Sequence, residues 1–467
     1  YEIRLSLVGS EMCIRDSTYL DHPCDPYHVG AHFPKLLTPQ WVGEPEVEAV
    51  VVLAIDDMRD PDRYEAYLRP ILDRLARIDG RMPVSIMTNA VDPTHPQLAQ
   101  WLAQEGPNID VHTVDHPCPC LHDGDFARAK STYDRCVDQL ASIPGNQPVA
   151  FRMPCCDSLN TPSPRFWSEI FNATTPAGHH LQIDSSVFQI LTADDPELPA
   201  DLLTDIDGRP RFLKYLPFPS FVNTIRNYPY PYVIGRLGWQ FPCTVPSDWE
   251  AQNLHQPNNP TTVADLQAAL DLTVMKQGVM NVVFHPHGWI RAEQIVELID
   301  HAQARHGNKV KFLSFREAQQ RLTQHLLAGH ALRQSDGSDA GTRLLDLDGD
   351  GVLDVVCSGP DGPTRVWDRA TRAFRDYPTP FRTLPDSTDS TRQGLASADR
   401  ARFGILDRHS DAVEVLATPH DAPDELRLYR FTADGWVASP VPVPWTPQTP
   451  AERGEVCLLY TSDAADE

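Results

Sequence analysis

The sequence predicts an α/β protein, an incomplete (β/α) barrel, followed by a smaller all-β module. Between residues 45 and 329, short apolar runs alternate with amphipathic helical segments, as in folds built on a parallel sheet. After residue 329 the helical segments stop, and short β-like runs separated by turns follow, which predicts an all-β module over residues 344–456. The intervening residues, 330–343, are rich in Ser, Asp and Gly and are predicted to be a linker.

The barrel strands are predicted from apolar runs rich in β-branched residues. The first, residues 47–55, is apolar along almost its whole length, as expected of a strand buried on both faces of a parallel sheet. The other predicted strands are residues 82–89, 108–114, 148–153, 181–186, 279–287 and 310–315.

The helices between these strands are predicted from helical periodicity. In residues 61–80, apolar side chains recur at helical spacing, and Gly80 is predicted to end the helix. The other predicted helices are residues 95–106, 125–143, 163–171, 263–278, 291–307 and a last one ending at Leu327. The aromatic- and Pro-rich region 211–245 fits neither pattern, and one interpretation is an insertion over the mouth of the barrel.

The composition excludes two classes of partner. Lys and Arg total 40 against 64 Asp and Glu, so the formal net charge of the 467 residues is -24. This charge argues against binding to a nucleic acid, whose phosphate backbone requires a positive face, and suits a neutral or cationic partner such as a glycan. No apolar run approaches the roughly 20 residues that cross a bilayer, so no membrane span is expected in this sequence.

The two ends of the sequence are expected not to be native. Residues 7–17 and 457–467 resemble translated adapter sequence from short-read DNA libraries, so residues 1–17 and 457–467 are excluded from fold reasoning. The chain is then expected to be a piece of a longer protein. A signal peptide is not visible in it.

The cysteines favour a secreted protein, extracellular or periplasmic. Eight of the ten cysteines lie outside the excluded ends; Cys118 and Cys120 share one predicted loop, and Cys155 and Cys156 share another. No CxxC pair is present, which argues against a structural zinc site, whereas paired loop cysteines in exported enzymes usually form disulfides. The alternative is a cytosolic protein with reduced cysteines.

Polar residues recur directly after the predicted barrel strands. They are Asp56 and Asp57 after the first strand, His112 and His116 after the third, Arg152 after the fourth, and His285 at the end of the strand before Trp289. Because the carboxyl ends of parallel barrel strands converge on one face, these residues are expected to meet there. Each motif alone has an ordinary explanation, such as a helix cap or a solvated turn. Their shared position favours a functional site.

The two histidines are expected to bind a metal ion. Thr113 follows the first histidine, so the segment lacks the Glu of the HExxH zinc helix, and Pro117 disfavours a helical conformation at His116. The imidazoles are therefore expected to converge from a strand end and a loop, with a carboxylate as the third ligand. Two His and one Asp leave positions open for water and substrate, as in catalytic Zn²⁺ sites, and Fe²⁺ or Co²⁺ would also bind such a set.

Together, Asp56-Asp57, His112-Thr113-x-x-His116, Arg152-x-Pro154 and His285 resemble the motifs of the NodB-homology polysaccharide deacetylases (carbohydrate esterase family four). The resemblance spans about Pro45 to Gln324 and implies a seven-stranded barrel. It implies a metal-dependent hydrolase that removes acetyl groups from an N- or O-acetylated polysaccharide, with an acetylated glycan as its partner.

The resemblance also implies a role for each motif residue. Asp57, His112 and His116 correspond to the metal ligands. Asp56 corresponds to the general base, Arg152 to the residue that orients that base, and His285 to the general acid.

The sequence departs from the family pattern at several positions. Cys155 replaces the aromatic residue that usually follows the motif proline, and its backbone N–H is expected to stabilise an oxyanion. Asp184 is the best match to the fourth motif, so Asp184 and Trp289 are candidates for the substrate pocket. Pro286 follows His285, which leaves His287 as a rival general acid.

Two other functions stay open. The first is a non-catalytic glycan-binding or adhesion protein with a degenerate deacetylase barrel, which the altered motifs favour. The second is an amidohydrolase that acts on a small cyclic amide.

The C-terminal module carries a separate metal-binding pattern. Asp346, Asp348, Asp350 and Asp354 occupy positions 1, 3, 5 and 9 of a calcium loop, with a glycine at position 6 for the sharp turn. Position 12 is Cys357 rather than Glu, so an EF-hand is not expected. The alternative is an acidic hairpin that binds no ion.

The run DLDGDGVLDVV resembles an FG-GAP (integrin-type) propeller repeat, in which such a loop links two strands and binds Ca²⁺. A weaker second copy spans residues 402–419. Two repeats cannot close a propeller of at least four blades, so the module is expected to be truncated.

Overall fold

The structure is a computed structural model of the chain, and it describes residues 33–118, 120–155, 164–216, 224–357, 362–384, 401–404, 413–422 and 425–439. The excluded ends, residues 1–17 and 457–467, lie outside the described residues. The chain divides into two compact units. The barrel unit comprises the described residues up to Gly329 together with Arg333–Ser338, and the β module comprises His330–Leu332 and the described residues from Asp339 onward.

The barrel unit is built around β1 (Ala49–Met58), in which every residue except Asp57 is buried. The first half of the unit adds β2 (Val84–Thr88), β3 (Asn108–Val111), β4 (Ala150–Phe151), β5 (Ile183–Asp184) and β6 (Phe188–Ile190). The second half adds β7 (Ile225–Arg226), β8 (Tyr232–Ile234), β9 (Gly238–Gln240), β10 (Cys243–Thr244), β11 (Val279–Phe284) and β12 (Val310–Phe312).

Parallel pairings run around this sheet. They pass from β1 through β2, β3 and β4 to β5, and from β6 through β10 and β11 back to β1. β5 and β6 are consecutive strands within residues 183–190. This segment therefore connects the two series of paired strands, both of which start from β1. β12 pairs with the start of β1, and β8 lies antiparallel to β9. These parallel pairings confirm the predicted incomplete (β/α) barrel.

The helices follow the strands in the predicted order. They are α1 (Thr38–Trp41), α2 (Pro61–Asp79), α3 (Pro96–Leu102), α4 (Phe126–Ala141), α5 (Pro164–Phe166), α6 (Ala200–Leu203), α7 (Asp248–His255), α8 (Pro260–Lys276), α9 (Ala292–His306) and α10 (Phe315–Arg321). In α2 the Asp60 carboxylate accepts the first backbone N–H groups, and Gly80 ends the helix at φ 81°, a conformation that glycine adopts without strain. No described helix is both long and apolar enough to cross a membrane.

The region 211–245 is not simply an insertion. Cys243 pairs in parallel with Phe188 of β6 and with Asn281 of β11, so β10 is part of the barrel sheet. The strand is only two residues long, and its neighbours are aromatic and Pro residues, so neither alternation nor an apolar run reveals it in the sequence.

The predicted linker is in part folded onto the barrel unit. The Arg333 side chain is buried, and its guanidinium donates to the backbone carbonyls of Leu181 and Asn172. Buried guanidinium groups require such acceptors, which fixes this stretch against the barrel.

The β module contains two antiparallel sheets. The first has the order β13 (Arg343–Leu345), β14 (Asp354–Val356), β15 (Pro363–Asp368) and β16 (Ala373–Pro378). In the second, β19 (Glu414–Pro419) pairs with β17 (Phe381–Arg382), β18 (Ala401–Gly404) and β20 (Arg427–Thr432), and β20 pairs with β21 (Gly435–Ser439). Buried side chains from both sheets form one core, and the described residues of this module contain strands and no helix, as predicted for an all-β module.

Candidate metal centre and active site

The predicted site residues lie at the carboxyl ends of neighbouring strands. Asp56 and Asp57 occupy the end of β1, His112 follows β3, and His285 follows β11. Because these strands are parallel, their ends meet at one edge of the barrel. One ligand atom each from Asp57, His112 and His116 falls within 4.8 Å of the other two.

Two imidazoles face the same carboxylate oxygen. Nε2 of His116 lies 2.8 Å from Oδ1 of Asp57, and Nε2 of His112 lies 3.3 Å from the same atom. Oδ1 of Asp57 is buried and has no aligned hydrogen-bond donor. Four ligands at the usual zinc distances of about 2.0–2.1 Å lie about 3.3 Å apart, so this spacing suits a metal ion held between them.

The protonation of His112 supports the same conclusion. Its Nδ1 lies 2.8 Å from the backbone carbonyl oxygen of Arg152, which can only accept, so Nδ1 donates. In the neutral ring Nε2 then carries a lone pair and faces the buried Asp57 oxygen. Two acceptors in contact repel each other unless a cation lies between them, and a second hydrogen bond of this kind commonly orients a metal-binding histidine.

The charge state of Asp57 agrees with this role. Burial raises the pKa of the Asp57 carboxyl, but the imidazoles of His112, His116 and His287, when they are protonated, outweigh burial and hold that pKa well below its usual range. A carboxyl with a lowered pKa is ionised at neutral pH, as a metal ligand must be.

The backbone at this edge is strained. Asp57, Thr113, His116 and Cys155 all have positive φ angles, of 69°, 61°, 50° and 59°. Non-glycine residues in this conformation cost of order 1–3 kcal/mol each in the least favourable cases, and they concentrate at functional sites, where the surrounding structure holds them. Two of the four are metal-ligand candidates, which indicates that the fold enforces the direction of these side chains.

Asp56 forms a buried ion pair with Arg152. Nη1 of Arg152 lies 2.7 Å from Oδ1 of Asp56, and both side chains are almost completely buried. The guanidinium also donates to Ser185 and, over 2.9 Å, to Oδ1 of Asn281. The Tyr64 hydroxyl donates to the backbone carbonyl of Asp56. The Asp56 carboxylate, which is next to the candidate metal ligand Asp57 in the sequence, is thus held in one orientation.

His285 is held by Asp248, a residue that the sequence did not single out. Nδ1 of His285 lies 2.7 Å from Oδ1 of Asp248, and the backbone N–H of His285 donates to Oδ2 over 2.8 Å. Burial lowers the pKa of His285, but the carboxylates of Asp248, Asp56 and Asp57 together outweigh burial and raise that pKa to about 9. His285 is therefore protonated at neutral pH, with its Nε2 3.9 Å from Oδ2 of Asp57.

A sequence signal for Asp248 does exist. Ser247 and Glu250 form a capping box at the start of α7, and Asp248 is the first residue of that helix. The pattern Ser-x-x-Glu marks a helix start. It places an acid at the end of the region that the periodicity left unassigned.

His287 contacts the candidate metal ligand Asp57 at the other carboxylate oxygen. Its Nε2 lies 2.9 Å from Oδ2 of Asp57, and its ring stacks on that of His285 with centroids 5.4 Å apart. Trp289 packs edge-on against both imidazoles at 4.8 and 4.9 Å. Trp289 is half-buried beside the centre, where the pocket assignment expects it.

Cys155 is joined to Cys118 by a disulfide, which confirms the expected disulfide for one pair of loop cysteines. Cys155 directly follows Arg152-Met153-Pro154, and Cys118 lies two residues after His116. Cys156 lies outside the described residues. The described free cysteines are Cys120, Cys136, Cys243 and Cys357, all of them buried.

Asp184, a candidate for the substrate pocket, is a buried residue. Its side chain has no solvent exposure, and it accepts hydrogen bonds from Ser186 Oγ and, over 3.1 Å, from Trp167 Nε1. Burial raises the pKa of Asp184 to about 7, against hydrogen bonds that lower it. A side chain without solvent exposure suits a packing role, and the place of Asp184 in the substrate pocket stays a prediction.

In the β module, the acidic loop joins two strands. β13 ends at Leu345, β14 begins at Asp354, and the two strands are antiparallel. Carboxylate oxygens of Asp346, Asp348 and Asp354 lie within 4.8 Å of one another, whereas Asp350 is not in that set. Burial raises the pKa of Asp354 to about 8 against backbone hydrogen bonds that lower it. The loop of the weaker copy, residues 405–412, lies outside the described residues.

Comparisons with known proteins give structural likenesses only. No family model matches the chain, and no curated protein matches it. A solved structure described as a polysaccharide deacetylase from Mycobacterium smegmatis is similar at 17% identity and a TM-score of 0.38, with 62% of this chain and 96% of that chain covered.

Two further solved structures are similar. The catalytic domain of a peptidoglycan N-acetylglucosamine deacetylase from Eubacterium rectale has 15% identity and a TM-score of 0.30 over 57% of this chain and 88% of that chain. Puue allantoinase has 12% identity and a TM-score of 0.43 over 65% of this chain and 98% of that chain. At such TM-scores, we draw the function of the protein from its own residues.

Proposed function

We propose that the barrel unit is a metal-dependent hydrolase that removes acetyl groups from an N- or O-acetylated polysaccharide outside the cytosol. One observation carries this proposal: Asp57, His112 and His116 converge at the strand ends where Asp56 and His285 also lie. A metal site beside a fixed carboxylate and a protonated imidazole is the arrangement that acyl hydrolysis by water requires.

The metal-ligand candidates are Asp57, His112 and His116. Their donor set, one carboxylate oxygen and two imidazole nitrogens, suits Zn²⁺, and it also suits Fe²⁺ or Co²⁺. When bound, such an ion supplies an acidified water and polarises the acetyl carbonyl.

Asp56 is the general base of this proposal. Arg152 holds one of its oxygens at 2.7 Å, so the carboxylate keeps its orientation while it takes a proton from the attacking water. Arg152 is itself fixed by hydrogen bonds to Ser185 and Asn281, so the group that orients Asp56 is held in place from behind.

His285 is the general acid. Its Nδ1 proton is directed to Asp248, so the Nε2 proton is the one available to the leaving amine or alcohol. The Nε2 atom of His287 contacts the candidate metal ligand Asp57 itself. We therefore assign His287 as a partner of that ligand and not as the general acid. The backbone N–H of Cys155, next to Pro154, is our candidate donor to the oxyanion.

We also propose that the β module is an FG-GAP-type module that binds Ca²⁺. The supporting observation is the cluster of Asp346, Asp348 and Asp354 carboxylates on a loop between two strands. Oxygen ligands from a short acidic loop are those that Ca²⁺ prefers. Asp350 belongs to the same sequence pattern, and we include it as a candidate ligand.

The full chain tests the proposed enzymatic function directly. Purified protein is dialysed against Zn²⁺ and then against metal-free buffer, its metal content is measured, and acetate release is followed from acetylated chitooligosaccharide, peptidoglycan and xylan. Bound metal together with acetate release supports the hydrolase. Glycan binding without acetate release favours the adhesion alternative, and hydrolysis of a small cyclic amide alone favours the amidohydrolase alternative; either result overturns the proposal.

A further inference from the structure

A second cluster with the same donor set lies on two helices of the barrel unit. Asp271 belongs to α8, and His301 and His306 belong to the last turns of α9. Nε2 of His301 lies 2.9 Å from Oδ1 of Asp271, and Nε2 of His306 lies 2.7 Å from the same oxygen. The three candidate ligand atoms fall within 4.8 Å of one another.

This cluster has the same donor set as the proposed active-site centre, although its two contacts are aligned hydrogen bonds, which Oδ1 of Asp57 lacks. In both clusters one carboxylate oxygen faces two Nε2 atoms, at 2.8 and 3.3 Å around Asp57 and at 2.7 and 2.9 Å around Asp271. Asp271 is buried, whereas the two imidazoles are about one-fifth exposed or less. An ion from solution can therefore reach the nitrogens, and the carboxylate is preorganised behind them.

One of the local charges favours a cation at this cluster, and another opposes it. The cluster lies at the C-terminus of α9, where the unsatisfied carbonyl groups carry a partial negative charge. Nε of Arg305 lies 3.0 Å from Asp271, but on the other oxygen, Oδ2, and the Arg305 side chain is 57% exposed. The oxygen that faces the histidines is thus not occupied by the guanidinium.

We propose that Asp271, His301 and His306 form a second site for a Zn²⁺-type transition-metal ion, one that clamps α8 to α9. The competing arrangement is a pair of ordinary hydrogen bonds, in which each imidazole carries its proton on Nε2 and donates to Asp271. The two arrangements predict different results when His301 is replaced by a residue that donates a hydrogen bond but binds zinc poorly. A glutamine amide at position 301 can donate to Asp271, but it is a poor zinc ligand.

The test is the zinc stoichiometry of the full chain against a competing chelator. We expect two zinc ions per chain, one fewer in His301→Gln, and one fewer in His112→Ala/His116→Ala. Zinc is also expected to raise the unfolding temperature of His112→Ala/His116→Ala, and to lose that effect when His301→Gln is added. His179→Ala is the matched control, because His179 contacts the single carboxylate of Asp138 at 2.8 Å, and it should leave the stoichiometry unchanged.

One result overturns the second site. If His301→Gln folds as the wild type does and retains the same zinc content and the same zinc-dependent rise in unfolding temperature, the cluster is only hydrogen-bonded. The readout does not depend on acetate release, so it is independent of the proposed enzymatic function.

The Cys118–Cys155 disulfide carries an independent inference, which rests on the proposed active site. It joins the loop that presents His116 to the loop that follows Arg152, and both cysteines are exposed. His116 and Cys155 both have positive φ angles, of 50° and 59°, so neither loop lies in a conformation that its backbone prefers. The covalent link between the two loops restrains each of them from relaxing to a preferred backbone conformation.

We infer that Cys118 and Cys155 are positioning residues for the metal ligand His116. In reduction by a dithiol, the S–S bond breaks, each cysteine gains one electron and one proton, and the reagent becomes a disulfide. With the link broken, the His116 loop is free to leave its strained conformation, so the metal ion is released faster.

Metal release measures this positioning directly. In Cys118→Ser/Cys155→Ser, or in wild type treated with a dithiol, the rate of Zn²⁺ transfer from the active-site centre to a chelator is expected to rise at least tenfold. The dithiol should have no further effect on the double variant. Cys120→Ala is the matched control, because this buried free cysteine lies in the same segment outside the disulfide, and its release rate should equal that of wild type.

Different results would reject the two hypotheses. A disulfide that only stabilises the fold would lower the unfolding temperature of the metal-free protein and leave the release rate at low temperature unchanged, which overturns the positioning role. Faster release in a protein that shows no acetate release would instead uphold the positioning role and reject the proposed enzymatic function.

Discussion

Nδ1 of His285 lies 2.7 Å from Oδ1 of Asp248, and the backbone N–H of the same histidine donates to Oδ2. One carboxylate thus fixes both the ring and the main chain of the residue that we propose as the general acid. The sign of the resulting pH effect follows from the chemistry. The acid must be protonated and Asp248 helps to raise its pKa, so the alkaline loss of activity is expected as the pH rises through that raised value.

Asp248→Asn should move the alkaline limb of the pH profile of kcat/KM to lower pH, by about one unit or more, because a neighbouring opposite charge commonly shifts a pKa by that amount. The limb is measured by acetate release between pH 6 and about 10. Glu250→Gln is the control, since Glu250 lies on the same helix but accepts from Ser247 rather than from His285. An unshifted limb in Asp248→Asn contradicts the proposed role.

Asp56 and Asp57 should separate catalysis from metal binding. Asp57→Ala is expected to abolish both metal content and hydrolysis. Asp56→Asn is expected to retain the metal and to lose about 10²–10⁴-fold in kcat, the usual contribution of a general base. Because Asp56→Asn leaves the buried Arg152 without its counter-charge, unfolding by urea should show a loss of about 3–5 kcal/mol. Wild-type turnover in the Asp56→Asn protein would refute the assignment of the base.

His285 and His287 should differ in the same way. His285→Ala is expected to keep the metal and lose rate, whereas His287→Ala, which removes the 2.9 Å contact to Oδ2 of Asp57, should weaken metal binding by about 10–100-fold. The two constants are obtained by chelator competition and by acetate release with saturating metal. The opposite pattern would make His287 the acid.

Calcium should stabilise the β module through its acidic loop. At a concentration of 100 times the dissociation constant, a bound ion adds about 2.7 kcal/mol to the free energy of unfolding. Asp348 is exposed, so Asp348→Asn should remove the calcium-dependent rise in unfolding temperature and leave the stability in chelator unchanged. Asp434→Asn, at an exposed turn of the same module, is the control. Equal calcium responses in all three proteins would indicate an acidic loop that binds no ion.

How far the sequence predicts this molecule depends on the length of each element. β1 and α2 are ten and 19 residues long, so their apolar patterns are unambiguous, and the residues placed after such strands do converge. β10 has two residues, and its place between β6 and β11 is set by tertiary pairing, which no local pattern encodes. The same limit applies to the partner of Cys118, since loop sequences do not state which cysteines meet in space.

The family resemblance predicts the Asp56–Arg152 pair, because both residues belong to its motifs. It does not predict the residues that hold Arg152 in place. Ser185 and Asn281 hold Arg152 through side chains that carry no motif of their own. Buried polar groups require partners, and those partners are contributed by whichever strand lies next in the sheet. Only the register of the neighbouring strands identifies them.

Asp184 provides the last prediction, which separates a packing role from a pocket role. Its pKa of about 7 lies above the ordinary value, so between about pH 4 and 7 the folded protein keeps a proton that the unfolded chain releases. The stability contributed by the protonated carboxyl is present at low pH and is lost as the pH rises through this window, by at most about 1.4 kcal/mol per pH unit. Asp184→Asn cannot titrate, so urea unfolding should show that this slope is absent while the KM for the glycan is unchanged. A raised KM with an unaltered slope would support the place of Asp184 in the substrate pocket.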